Sequence, residues 1–490
     1  MTIGQTRERD RRSRRRTRLG LLGTTCAAAA FVALAAAPSA FAGGSLDNTS
    51  LQQAFDQSTF SGMAGFITFD YLNHQQGDGS INRGPQNSFA VGGDFIAHSG
   101  SFHGFSVGLA GYGAQSIGYY KGATHNTELT GAYPSVQSFR EAYGQYQNKN
   151  MEFRFGRQLI NTPWANADYY TFSPRAFMGL AGVVDVIGHG PTTTDAAPLS
   201  LDDSPAQFSI FGARMFNYES RYASTFTSGN RYGPSNGLLT FGAKYQNTFG
   251  GTHVSFQAWY YDFYGYGQLW YGEADFAQPV GHSQSIFGGF QMTSEGNSGS
   301  GIKTFGGATS NSINAKEYGA KLGFSDGPYS INLVGGYSPI EKGAFRNGAI
   351  VHPYNDLSGY QFSNSMQTGL EDFGPGYAYG VQWDAKFLKN KLDVSGNYTR
   401  YLVRYGYGGD VYSYDSLSPL YPGFPQQTGL PVPNQQIWSL GFNVSYDLSS
   451  VLKGLSITEN TDTNVTQNRS GYPQYPNVFF SSRLYLEYHF

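Results

Sequence analysis

The last nine residues, Ser482-Arg483-Leu484-Tyr485-Leu486-Glu487-Tyr488-His489-Phe490, set Leu484, Leu486, Tyr488 and Phe490 on one parity and Arg483, Tyr485, Glu487 and His489 on the other. A period of two marks a strand with one apolar and one polar face. The pattern returns along the chain. In segment 65–71, Ile67, Phe69 and Tyr71 oppose Thr68 and Asp70, and Phe105, Val107 and Leu109 alternate with Ser106, Gly108 and Ala110. Later segments carry charge on the polar parity: Leu239, Phe241, Ala243 and Tyr245 oppose Lys244 and Gln246, and Tyr318, Ala320, Leu322 and Phe324 oppose Lys321. Tyr379, Val381 and Trp383 oppose Asp384 and Lys386, and Trp438, Leu440, Phe442 and Val444 oppose Ser439 and Asn443. Repetition on this scale predicts an all-β protein.

The apolar faces need a home, either a sandwich core or lipid, and composition decides between them. Aromatics make up 16% of the chain, with 65 glycines and 37 tyrosines. The mean hydropathy is negative. Beyond the N-terminal 40 or so residues no apolar run approaches the ~20 residues a membrane helix needs. A transmembrane antiparallel β-barrel accounts for both facts, because half of each strand faces a wet lumen while Tyr, Phe and Trp collect at the two interfaces. An open edge in lipid would cost several kcal/mol per unpaired backbone group, so the last strand must close onto the first. At roughly 25 residues per strand with its connections the length predicts about 18 strands, with 16 as the alternative.

The N-terminus reads as a targeting segment. Eight arginines fall between Arg7 and Arg18, residues 19–37 are apolar, and Ala40-Phe41-Ala42 offers a small-residue cleavage site, so residues 1–42 are expected to be a cleaved signal peptide and 43–490 the barrel. Cys26, the only cysteine, lies in that leader, which leaves neither a disulfide framework nor a thiolate metal site. Removing 8 of 32 basic and 2 of 34 acidic residues leaves 24 and 32, a net charge of −8, so nucleic acid is not expected as a partner. The expected partners are outer-membrane lipid, small-molecule solutes, and the barrel-assembly machinery reading the terminal Phe490.

Connections are expected to alternate. Stretches 148–150, 247–252, 326–328, 388–391 and 448–454 read as short turns, and 296–312, 338–375 and 406–436, rich in Gly, Ser, Asn and Pro, as long loops. One connection stands apart. After strand 151–155 comes Gly156-Arg157-Gln158-Leu159-Ile160-Asn161-Thr162-Pro163-Trp164-Ala165-Asn166-Ala167-Asp168, followed by 169–172, Ser173-Pro174-Arg175 and Phe177-Met178-Gly179. Two prolines, a tryptophan and mixed charge suggest a fixed loop, and such a loop folded into the lumen would narrow it.

On these residues the chain resembles the OprD family of outer-membrane porins. Gly156-Arg157-Gln158 with Asn161-Thr162-Pro163 is similar to that family's post-strand signature, and Asp168, Pro174, Phe177 and Gly179 to its continuation. The glycine-spaced stretch 90–113 and Gln257-Ala258-Trp259-Tyr260-Tyr261-Asp262 are similar to further strands of the family. The resemblance implies a passive, substrate-preferring diffusion channel for small hydrophilic solutes such as amino acids, small peptides or carboxylates, in the outer membrane of a Gram-negative cell, and it favours a monomer, with a trimer as the alternative. It departs at Thr171, Thr68 and His74, where the family commonly has arginine, and at Arg175, where it has a neutral residue.

By parity the inward charges are Glu152, Arg154, Lys244, Lys321, Asp384, Lys386, Arg483 and Glu487, to which the loop adds Arg157, Asp168 and Arg175. The basic members Arg154, Arg157, Arg175, Lys244, Lys321, Lys386 and Arg483, with Asp168, are the candidates for lining the pore and selecting substrate. The alternative reading makes them solvated residues and wall-bracing pairs such as Glu152 beside Arg154, worth only ~0 to 1 kcal/mol each where exposed. Arg400 falls on the outward parity and is expected at a rim, because a lipid-facing arginine at mid-depth costs ~2 to 4 kcal/mol. His253, His282 and His352 lack metal-ligand spacing and no nucleophile motif is present, so neither cofactor nor enzymatic activity is expected. Gly92-Gly93 and Gly335-Gly336 read as close packing within strands. A conduit for hydrophobic or polysaccharide substrates, and an outer-membrane enzyme or adhesin built on 338–375 or 406–436, remain alternatives at this stage.

Overall fold

The computed structural model describes residues 48, 50–72, 85–118, 128–131, 133–188, 198–202, 204–230, 232–297, 299, 312–354, 361–365, 369–373, 375–404, 435–467 and 478–490. The expected leader 1–42, His74 and most of the 406–436 loop lie outside these residues.

The wall begins with β1 Thr59–Leu72, β2 Pro85–His98, β3 Phe105–Ser116, β4 Ser135–Asn148, β5 Met151–Gln158 and β6 Ala176–Ile187. It continues through β7 Phe208–Glu219, β8 Leu238–Phe249, β9 Thr252–Phe263, β10 Gly267–Pro279, β11 Gln284–Asn297 and β12 Asn314–Asp326. β13 Tyr329–Ser338, β14 Gly376–Phe387, β15 Leu392–Val403, β16 Gln435–Asp447, β17 Leu455–Gln467 and β18 Val478–His489 complete it. Every strand pairs antiparallel with the next, and β18 returns to β1 in a register running from Met63↔His489 to Leu72↔Phe480. The result is a closed sheet of 18 strands, the larger of the two expected counts. A cylinder this wide leaves room for an aqueous lumen. At the seam Phe490 N donates to Gly62 O at 3.0 Å and Gly62 N to Phe490 O at 3.2 Å, so the terminal residue is part of the closure.

The expected short turns at 148–150, 247–252, 326–328, 388–391 and 448–454 all fall at one end, together with Phe490 and a short helix, α1 Leu51–Asp56, capped by Ser50 Oγ accepting from Gln53 N at 3.2 Å. We call this the turn end, and the opposite one the loop end. Outward-facing rings form two belts. Phe60, Phe105, Phe249, Tyr329 and Phe387 lie near the turn end, and Trp270, Tyr337 and Tyr379 near the loop end, with Val107, Leu109, Leu322 and Leu333 exposed between them. That is the pattern lipid imposes on a spanning barrel.

β1 departs from the expected orientation. Its apolar parity, Ile67, Phe69 and Tyr71, is buried inside the barrel, whereas Thr68, Asp70 and Leu72 face out. Phe69 lies 6.4 Å from the Tyr170 ring and 6.3 Å from Tyr485, which explains the inversion. This strand packs its aromatic face on a lumen-filling segment rather than on lipid.

Several connections fold inward. Residues 159–175 and the described parts of 339–375 enter from the loop end and meet at a parallel bridge between Ala165 and Tyr354. The expectation that 338–375 forms an external surface therefore fails for its described residues, since Ile350, Val351, His352 and Tyr354 are buried. A third segment rises from the turn end, where Leu199–Ser200 pairs in parallel with Ile160–Thr162. Sequence reading did not anticipate it.

Candidate functional site

Loop 159–175 is fixed at both shoulders and at its tip. Trp164, with no exposed surface, donates its backbone N–H to the Tyr261 hydroxyl at 3.3 Å on β9, and its ring lies 6.1 Å from His352. On the other side Phe172 presses against the wall at Gly92, where an added Cβ would come within 2.8 Å of the ring and 2.3 Å of Gly113 O. The glycine is the space the loop docks into. Because the loop touches β2 and β9, far apart on the circumference, it lies across the lumen.

At the tip, Asp168 adopts φ 44° and Arg175 N donates to Ala167 O at 2.7 Å, which closes the turn. The left-handed backbone is tolerable for aspartate and aims its carboxylate at two cations. Asp168 Oδ2 lies 2.8 Å from Arg175 Nη1 and 2.8 Å from Arg221 Nη2. Arg221 is held in place by a wall residue. Buried Arg140 on β4 donates to the carbonyls of Ser220 (3.0 Å), Arg221 (3.0 Å) and Ala223 (2.8 Å), with Glu219 3.8 Å away.

The Arg221 guanidinium carbon stands 3.8 Å from the Tyr170 ring centre, and Arg483 stands 4.8 Å from the same ring and 4.9 Å from Phe69. Contacts of this kind contribute ~0.5 to 2 kcal/mol and fix the plane of the guanidinium. Arg483 Nη2 also donates to the Tyr71 hydroxyl at 3.2 Å. Arg483 is 8% exposed and forms no ion pair with a described carboxylate. Tyr170 and Tyr222 both donate to Glu128 Oε2, at 3.1 and 2.6 Å. The site is thus a set of oriented guanidinium groups held by rings, one shared aspartate and backbone carbonyls.

The candidate residues separate into groups. Asp168, Arg175 and Arg483 come together, as just described. Arg154 faces inward from β5 but is occupied, with Glu152 Oε1 2.6 Å from Nη2 and Gln145 Oε1 accepting from Nε at 3.0 Å. Lys244 faces inward 3.8 Å from Asp202, and Lys321 2.7 Å from Asp275 and 4.0 Å from the Phe362 ring centre. Lys386 keeps the inward parity at the turn end, 3.5 Å from Asp393. Arg157 does not reach the lumen. It sits on the outward parity with Phe153 and Phe155, exposed, and donates to Phe139 O at 3.3 Å. The loop turns inward only after Gln158, so Arg157 still belongs to the strand.

Three participants were missed. Arg140 sits where the β3–β4 register slips, beside Glu141, so simple alternation could not assign it a face. Arg221 lies in a connection that carries no motif. Tyr170 was one of several aromatics in a row.

Across the lumen the arrangement differs. Glu295 accepts from Val351 N at 2.7 Å, Gln291 from Phe362 N at 2.5 Å, and Gln382 donates to Phe362 O at 2.9 Å. Gly336 leaves room for Ser363, whose Oγ would be 2.6 Å from an added Cβ. A polar recess of about 370 Å³ opens beside this segment, lined by Ser330, Asn332, Gln382, Asp384 and Asn397 among others. Among the described residues no cluster of three or more His, Cys, Asp or Glu side chains could hold a metal ion.

No protein-family model matches the chain, and no curated protein sequence does. Solved structures do. OccK9 (OpdG) of Pseudomonas aeruginosa superposes with a TM-score of 0.65 at 13% identity, over 89% of this chain and 99% of its own. A BenF-like porin from Pseudomonas fluorescens Pf-5 gives 0.66 at 13% identity, again over 89% and 99%. OpdK of Pseudomonas aeruginosa, solved with vanillate, gives 0.61 at 14% identity over 88% and 98%.

Proposed function

The fold is that of an outer-membrane porin, and we propose that the chain works as one of the OprD type, a passive channel in a Gram-negative outer membrane for small hydrophilic solutes bearing a carboxylate. The observation that carries this reading is Arg483. It is a buried guanidinium oriented by Phe69, Tyr71 and Tyr170, beside a loop that crosses the lumen, and no described carboxylate forms an ion pair with it. A planar fork of donors matches a carboxylate bidentately. That OpdK was solved with vanillate, an aromatic carboxylate, supports the same class. Arg154, Lys244 and Lys321 are wall-bracing in this reading, each already matched by an acid. Phe490 at the seam is the residue the assembly machinery reads, the chain works as a monomer, and residues 1–42 are removed.

Single-channel recording in planar bilayers tests the proposal. The folded chain should give small conductance steps that an amino acid or benzoate blocks and a neutral sugar does not, and Arg483→Gln should weaken the block about tenfold, the loss of one charge-assisted pair. Silence from folded protein would sink the channel, and equal block by sugar and carboxylate would sink the substrate class.

A further inference from the structure

The outer face of the barrel carries cations that the lumen reading does not use. Arg157 on β5, Arg214 on β7, Arg400 on β15 and Arg404 immediately after it all lie on the outward parity. All four sit at the loop end. At the turn end no described outward strand position holds lysine or arginine. Each guanidinium is laid against an aromatic ring: Arg157 is 5.0 Å from the Phe226 centre, Arg214 4.4 Å from Tyr264, Arg400 4.4 Å from Trp438 and Arg404 4.5 Å from Tyr377. Their hydrogen bonds go to neutral acceptors. Arg157 donates to Phe139 O, Arg214 to Asn236 O at 2.9 Å and Leu238 O at 3.2 Å, and Arg400 to the Tyr379 hydroxyl at 3.0 Å and to Gln436. None forms an ion pair with a described carboxylate, although the outward face does hold Asp70, Asp262 and Glu459.

Four fixed guanidinium groups in one aromatic belt, none with an ion-pair partner among the described residues, are costly unless the medium supplies counter-charge at that depth. Water alone would favour long, mobile side chains there; these are pinned to rings and backbone carbonyls, which pre-orients the remaining N–H donors. Arg157 pairs in register with Met178 and Arg214 with Leu180 on the strand between them. Their backbones are thus two strand spacings across and two residues along, roughly 12 Å apart. One headgroup bearing two phosphates could span that distance. We propose that this belt is a docking surface for phosphate groups of lipid headgroups in the leaflet at the loop end, with Arg157 and Arg214 as one clamp and Arg400 and Arg404 as a second. The inference rests on the reading that the barrel crosses a bilayer, not on what passes through it.

The test is native mass spectrometry of the full chain in detergent, titrated with bis-phosphorylated lipid A, with the dephosphorylated lipid as control. The wild type should retain the phosphorylated lipid and release the control. A variant with Arg157→Gln, Arg214→Gln, Arg400→Gln and Arg404→Gln should lose at least about tenfold in affinity, as expected for several cations near an anionic surface. Single-channel conductance of the same variant, which alters nothing in the lumen, should match the wild type and so reports that it folds. Equal retention of both lipids, or undiminished binding by the folded variant, would overturn the proposal. A silent wild-type channel that still retains lipid would count against the porin reading alone.

Discussion

The two walls of the lumen hold their inserted segments by different chemistry. On the side formed by β18 and β1 to β7, loop 159–175 is tied through side chains: Asp168 to Arg175 and Arg221, Tyr170 to Arg221 and Arg483, and Phe172 into the gap at Gly92. On the side formed by β11 to β15, the described parts of 339–375 are tied largely through backbone: Val351 N to Glu295, Phe362 N to Gln291, and the carbonyl of Ser363 to the Tyr401 hydroxyl at 2.9 Å. The first wall is rich in guanidinium and the second in carboxylate and amide. Side-chain anchoring fixes both the position and the identity of the anchored residues, whereas backbone anchoring fixes only the path of the chain. It follows that the two walls should respond differently to substitution.

The largest effect is expected at Asp168. Asp168→Ala leaves Arg175 and Arg221 without their shared carboxylate, and breaking a buried pair in this way costs about 3 to 5 kcal/mol. Trp164 and Phe172 hold the shoulders of the loop and not its tip, so the tip should lift away while the wall stays closed. Single-channel conductance should rise several-fold and trypsin should gain access at Arg175, with the β-sheet circular-dichroism signal unchanged. Unchanged conductance would show that packing at Trp164 and Phe172, not charge, secures this wall, and the contrast between the walls would collapse.

The same contrast explains what could be read in advance. The barrel was legible because lipid on one side and water on the other force a period of two on nearly every strand, whereas length narrowed the count only to about 18 or 16 strands. The side-chain-anchored loop was legible because Pro163, Trp164, Asp168 and Pro174 are residue choices that a floppy loop does not need. β1 was misread for a physical reason: Ile67, Phe69 and Tyr71 have the composition of a lipid-facing row, and only the presence of Tyr170 inside the barrel tells which side is apolar. Arg157 was placed in the lumen because it adjoins the loop, yet one further residue of strand keeps it on the outside. The backbone-anchored segment left no mark, since any residue but proline supplies the N–H that Glu295 or Gln291 accepts.

That exception gives the next test. Val351→Pro removes the donor to Glu295 and strands a buried carboxylate oxygen, for about 1 to 3 kcal/mol. Val351→Ile keeps the donor and should leave the segment in place. Hydrogen exchange over 345–354 should rise for the proline variant and not for the isoleucine one. If both raised it equally, this wall too would depend on side-chain identity.

The smallest effect is expected at Lys321, the cation of the carboxylate-rich wall. It is 2.7 Å from Asp275, but the two side chains are 25% and 23% exposed, so the pair is screened and worth no more than about 1 kcal/mol. Lys321→Met should therefore leave thermal stability within a few degrees and carboxylate block within about twofold. Its visible consequence should be a shift of reversal potential toward cation preference under a salt gradient, because Asp275 is then left uncompensated beside the open lumen. Should Lys321→Met instead weaken carboxylate block as much as Arg483→Gln does, about tenfold, the selecting cation would lie on the wall that holds its loop by backbone. Specificity would then be set where the chain's path, rather than its side chains, is fixed.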